Sequence, residues 1–200
     1  VSAAAVPIPE ALRAYVVLQL RASYDPPEDV AARALEYFSG DDELDVSAVS
    51  TEALDAVVAE ELRVLEAEQA AWPAVTDNDR LARAFARLEA RGVVARENFT
   101  CCQSCGHAEI GDEIDATEAR GLRVHGYTFF HQQDTESAVE GGGVMLAYGA
   151  LTAGTPDPAV AVGHEIMAML REAGLSPEWD GAVTTRIFVP LAWRRRRGAE

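Results

Sequence analysis

Lysine is absent from this chain: all 17 basic residues are arginine. Without an ε-amino group the chain cannot form a Schiff base. Nor can it supply the phosphate-binding lysine of a P-loop or the lysine of a protein kinase. Cysteine is scarce, and its three residues fall in one short stretch as Cys101, Cys102 and Cys105. An odd, crowded set of thiols is not a disulfide framework. Long apolar runs are also missing, and none approaches the roughly 20 residues needed to span a bilayer. The opening residues VSAAAVPIPE lack the basic start, apolar run and cleavage site of a secretory signal, so the expected location is the cytoplasm. The sequon Asn98-Phe99-Thr100 is accordingly read as chance. No G-x-S-x-G is found, which excludes the usual hydrolase elbow.

What is abundant is negative charge. There are 33 acidic residues, and the net charge is −16. Such a surface repels phosphate backbones, so nucleic acid is not an expected partner; without a spanning stretch neither is a membrane, whereas a protein with a basic face is. Hydrophobic residues make up 48% of the 200, enough for a folded core without metal or disulfide staples. Any thiol or metal chemistry is therefore optional for folding.

The first part reads as helical. Leu12, Tyr15, Val16 and Leu20 form a mostly apolar segment that Asp25-Pro26-Pro27 breaks. Val30, Ala31, Ala34, Leu35 and Phe38 then recur at helical spacing before Gly40. The run GDDELD is a polar loop. A longer helix starts near Ser50, with Leu54, Val57, Val58, Leu62 and Leu65 on one face and Glu60, Glu61, Glu66 and Glu68 on the wet side. Asp77 or Asn78 can cap the next helix, which Gly92 ends before a short strand at Val93-Val94-Ala95. Downstream, strands are expected near residues 122–131, 144–149 and 183–189. A short helix capped by Asp134 or Thr135 and a longer one opened by Asp157-Pro158 separate them. The fold class is α+β: a helical N-terminal region, 1–75, then a 76–200 region with a small mixed or antiparallel sheet and packed helices. One continuous domain is the alternative division.

Three segments bear on chemistry. In Cys101-Cys102-Gln103-Ser104-Cys105-Gly106-His107, the C-x-x-C pair Cys102 and Cys105 can present two sulfurs to one zinc ion, with His107 as a third ligand and His125 or His131 as a fourth. The same pair can be a redox dithiol, although the segment is not read as opening the first helix of a βαβ unit. Buried cysteines also serve as plain apolar filler. In the second segment a strand end delivers His131, Gln132, Gln133 and Asp134 to one sheet edge. His131 beside Asp134 has the makings of an oriented base; the plainer reading is a strand-end histidine beside a helix-capping Asp. The third, His164-Glu165-Ile166-Met167-Ala168, starts like the zinc-protease H-E-x-x-H, but Ala168 stands where the second ligand belongs. Gly163 in that helix costs about 1 kcal/mol relative to Ala and is expected to allow close packing on the sheet. The acidic set Glu109, Asp112, Glu113, Asp115 and Glu118 reads as a solvated helix face, and Arg194 to Arg197 as a solvated tail or one resting on the acidic body.

The segments NFTCCQSCGHAEI, GYTFFHQQDTESAVEGGGVMLAYG and WDGAVTTRIFV resemble a family of uncharacterised bacterial proteins, a domain of unknown function. The patterns N-F-x-C-C-x-x-C-G and G-Y-x-F-F-H-x-Q-D-T carry the resemblance, which implies no reaction, substrate or ligand. No catalytic motif is complete, so whether the chain is an enzyme stays open. The leading expectation is a non-enzymatic protein-binding or regulatory protein. Beside it stand a zinc-binding protein using Cys101, Cys102, Cys105 and His107, and a thiol-redox enzyme; His131, Gln133 and Asp134 are a second candidate site.

Overall fold

A computed structural model describes residues 7–40, 44–155 and 157–197. Residues 41–43 of the expected polar loop lie outside the described residues. The chain forms two compact units, one ending at Pro73 and completed by the segment from Arg194, the other running from Ala74 to Trp193.

The first unit contains α1 (Glu10–Ala22), α2 (Pro27–Phe38) and α3 (Thr51–Ala70). Ser23, left-handed at φ 63°, ends α1, and Pro27 opens the first turn of α2, where its missing N–H goes unneeded. Ser50 caps α3 by accepting the N–H of Ala53. Leu12, Val16 and Leu20 of α1 pack with Val30, Ala31 and Ala34 of α2 and Leu54, Val57 and Val58 of α3. The wet face of α3 is only partly wet. Glu61 and Glu68 both grip Arg21 of α1, at 2.9 and 3.0 Å. The arginine tail is not free in solvent either. The Arg197 guanidinium donates to the carbonyls of Leu20 (2.6 Å) and Asp25 (2.9 Å), satisfying the open end of α1, and Arg195 lies over the Tyr24 ring.

The second unit contains α4 (Asp77–Arg91), β1 (Val93–Arg96), α5 (Gln103–Ala119), β2 (Gly126–Phe129), α6 (Gln132–Val139), β3 (Val144–Ala150), α7 (Pro158–Glu172) and β4 (Ile187–Val189). Its mixed sheet has the order β1-β2-β3-β4. β1 and β2 are parallel, Val93 opposite Gly126, while β2–β3 and β3–β4 are antiparallel. The α+β class therefore holds. Side-chain alternation along β2 separates the helices. A Cβ on Gly126 would meet Val162 of α7, whereas Tyr127 and Phe129 face His107 and Gly106 of α5. α5 and α7 thus cover opposite faces of the sheet. Gly143, at φ +68°, closes the turn into β3, and a Cβ there would lie 2.7 Å from the Val189 carbonyl.

Several local expectations change. Thr76, not Asp77 or Asn78, caps α4, in a reciprocal box with Asp79. The crossover between the parallel strands β1 and β2 is α5. Gly163 makes room for the Trp179 ring rather than for the sheet. No helix among the described residues is long and apolar enough to cross a membrane.

Candidate functional site

Two of the segments singled out by sequence meet at the carboxyl ends of the parallel strands β1 and β2. Beyond those strands the two chains stay zipped. Phe130 N–H donates to the Arg96 carbonyl, Phe99 N–H to that of Phe130, and Gln132 N–H to that of Thr100. The outside of a parallel pair's carboxyl edge is a common place for sites, because loops and helix starts converge there. The connecting loop is strained: Asn98 and Thr100 are non-glycine residues at φ 49° and 58°. Asn98 is held by Thr135 Oγ1, which donates to its side-chain carbonyl at 2.7 Å. A backbone bend there aims the next residues, the cysteines, at the start of α5.

Cys102 is the first residue outside α5, extended at φ −153°, and Gly106 N–H closes the first turn on its carbonyl at 3.0 Å. The cysteines thus open the crossover helix of a β–α–β unit, β1–α5–β2, contrary to the expectation from sequence. The four-residue strand β1 pairs only through tertiary structure, and its parallel partner lies 33 residues downstream, Val93 opposite Gly126. The helix start is pinned to the sheet by close packing. A Cβ on Gly106 would sit 2.3 Å from Phe129 Cε2, so no larger residue fits while the ring stays in place.

The three sulfurs lie within 4.8 Å of one another, and Cys101 Sγ is 3.4 Å from Cys105 Sγ. No cap hydrogen bond of normal geometry forms on Cys102. Even so, its thiol pKa is held below the ordinary value, first by the Cys105 N–H, then by the neighbouring Cys105 and Cys101 thiols, and last by the Ser104 N–H. Cys105 moves the other way: its neighbours Cys101 and Cys102 push it up to about 12. One thiol is thus poised to ionise and another to keep its proton. Three thiols this close can hold one metal ion.

None of the expected histidine ligands joins them. Among the described residues the cluster is made of the three cysteines alone. His107 turns toward β2, with Nδ1 3.3 Å from the Tyr127 hydroxyl and its ring 5.2 Å from that of Phe129. Partial burial, then the charge of Arg186, lowers its pKa. His125 is 3.0 Å from the Glu165 carboxylate. That carboxylate also holds Arg91 at 2.7 Å, so Glu165 of the failed H-E-x-x-H serves an ion-pair cluster.

His131 is buried, and it is the cap of α6 in place of Asp134 or Thr135. Its Nδ1 accepts the Asp134 N–H at 3.4 Å, while the Asp134 carboxylate accepts the His131 backbone N–H at 3.1 Å. This assigns the imidazole as neutral, with its proton on Nε2, 3.1 Å from Asp134 Oδ2. Burial lowers the His131 pKa; Asp134 opposes the shift and Arg186 adds to it. Arg186, from just before β4, donates to both the Asp134 carboxylate and the Met145 carbonyl. Sequence reasoning missed Arg186, since nothing near it in the chain marks it. Gln133 lies exposed on α6. His131, Asp134 and Arg186 therefore form an interior bracket tying α6 to β3 and the approach to β4, not a solvent-facing base.

No curated protein and no solved structure matches the chain. A family model does match, over residues 8–197, and the chain belongs to the family described as a domain of unknown function, DUF6891.

Proposed function

We propose that Cys101, Cys102 and Cys105 form a metal–thiolate centre that holds one zinc ion, with the fourth position open. The observation that carries this reading is the mutual approach of the three sulfurs to within 4.8 Å at one helix start. A tetrahedral zinc ion with Zn–S bonds of about 2.3 Å keeps its sulfurs about 3.8 Å apart, so closure requires shifts of at most about an ångström. Thiolates select zinc and softer ions over magnesium or calcium. Three protein ligands and an open position are the pattern of reactive zinc sites, whereas structural sites are closed by a fourth ligand. A reducing compartment such as the cytoplasm keeps these thiols available.

Elemental analysis of the purified, reduced protein tests the reading. The expected result is about one zinc per chain, lost in the Cys102→Ser, Cys105→Ser double variant while circular dichroism is unchanged. A folded, reduced protein that contains no zinc and takes none up on titration would overturn it.

A second reading, a non-enzymatic protein that binds a partner with a basic face, draws on the net charge of −16. It requires that capture of a basic protein weaken steeply between low and physiological salt. Binding insensitive to salt would remove its electrostatic basis.

A further inference from the structure

We propose that the metal-free triad performs thiol–disulfide exchange on small neutral or cationic disulfides, with Cys102 as the attacking thiol and Cys105 as the resolving one. The inference does not rest on the zinc reading, because it concerns the same sulfurs with no ion bound.

Three observations carry it. Cys102 directly precedes the crossover helix of a β–α–β unit, at the N-cap, the position where a helix N-terminus favours a thiolate. Cys105 stands in the first turn of the same helix, its sulfur within 4.8 Å of that of Cys102, so a disulfide needs side-chain rotation and little backbone movement. All three cysteines are free and at least partly exposed, so a disulfide can approach in line with the attacking sulfur. The adjacent Cys101 is the natural competitor, being 3.4 Å from Cys105. Cys101 lies outside the helix, however, one residue before the N-cap.

The chemistry balances without a further reactant. The Cys102 thiolate attacks one sulfur of R–S–S–R, forming Cys102–S–S–R and releasing R–S⁻, which takes up the proton that Cys102 gave to solvent. Cys105 then attacks the Cys102 sulfur, its own proton passing to the second leaving group. The products are a Cys102–Cys105 disulfide and two R–SH. Two electrons pass from the protein dithiol to the substrate disulfide. The substrate class follows from charge: a chain of net charge −16 disfavours encounter with an anionic disulfide.

The test uses the full chain, reduced and held in chelator, with cystamine as cationic probe and glutathione disulfide as anionic comparison. Mass spectrometry of the wild-type protein is expected to show loss of two thiols, no retained adduct, and a Cys102–Cys105 link after digestion. Cys105→Ser is expected to trap one cysteamine half of the probe on Cys102 as a mixed disulfide. Cys102→Ser should slow thiol release at least about tenfold. Cystamine is expected to react faster than glutathione disulfide, with the gap narrowing as salt is added. An adduct trapped on Cys101, a Cys101–Cys105 link, or no thiol release while circular dichroism shows folded protein would each overturn the assignment. Retained exchange in a chain that takes up no zinc would sink the metal reading alone.

Discussion

Asp134→Ala is expected to destabilise the 74–193 unit by about 3–5 kcal/mol, the cost of removing one partner from a buried ion pair. The Asp134 side chain is only 7% exposed. It accepts the His131 N–H and faces the Arg186 guanidinium, whose Nε is already buried without a hydrogen-bond partner. Alanine would leave the cation without its counter-charge and open the α6 capping box in one step. Urea denaturation measures the effect as a drop in midpoint. Asp134→Asn keeps an acceptor for the cap but not the charge, and should fall between. A loss below about 1 kcal/mol would mean that Arg186 finds water once freed. His131 adds a pH dependence to the same bracket. Its folded pKa lies below the ordinary value of 6.5, chiefly through burial. Its contribution is fully present above pH 6.5 and is lost as pH falls through that value toward the folded pKa, because the unfolded chain binds the proton first.

Cys102→Ser is expected to weaken zinc binding by more than about 100-fold, since loss of an outer-shell partner alone costs 10–100-fold. Competition with a chromophoric zinc chelator gives the ratio. An affinity within about tenfold of wild type would remove Cys102 from the ligand set. The pH dependence has a definite sign. A thiol must lose its proton to bind, so affinity rises with pH. Cys105, pushed up to about 12 in the metal-free chain, carries its proton throughout the neutral range and must release it for every ion bound. Cys102, already shifted down, adds less. Affinity should therefore rise at least about tenfold per pH unit between pH 6 and 8. A flat profile would contradict thiolate ligation.

Much of the helical framework was legible in the chain because its signals are local. Ser50, Gly92 and Asp157-Pro158 mark helix ends through their own backbone chemistry, and the apolar stripes of α1 to α4 repeat within a few residues. The caps of α4 and α6 were misplaced by one to four positions, for the same reason that makes caps readable at all. Threonine and histidine serve there because Asp79 and Asp134 answer from the third helical position. Helix α5 was harder. Its sheet-facing side begins with Gly106 and His107 and becomes apolar only at Ile110 and Ile114, so its buried face is faint in sequence. Its place between parallel strands depends on a four-residue strand whose pairing is non-local.

By itself the sequence determined composition-level properties and local chemistry. It set an acidic, lysine-free chain of α+β pattern, with its thiols crowded into one segment and no complete catalytic motif. Only the tertiary structure decided which groups meet. It brought three sulfurs together while sending His107 to Tyr127, His125 to Glu165 and His131 into a helix cap. It also delivered Arg186 to Asp134, 52 residues away in the chain, and returned Arg197 to the end of α1. The physical reason is range. Caps, turns and periodicity are decided by neighbours in the chain, whereas a ligand set or a buried ion pair is decided by which strands pair and which helix faces the sheet.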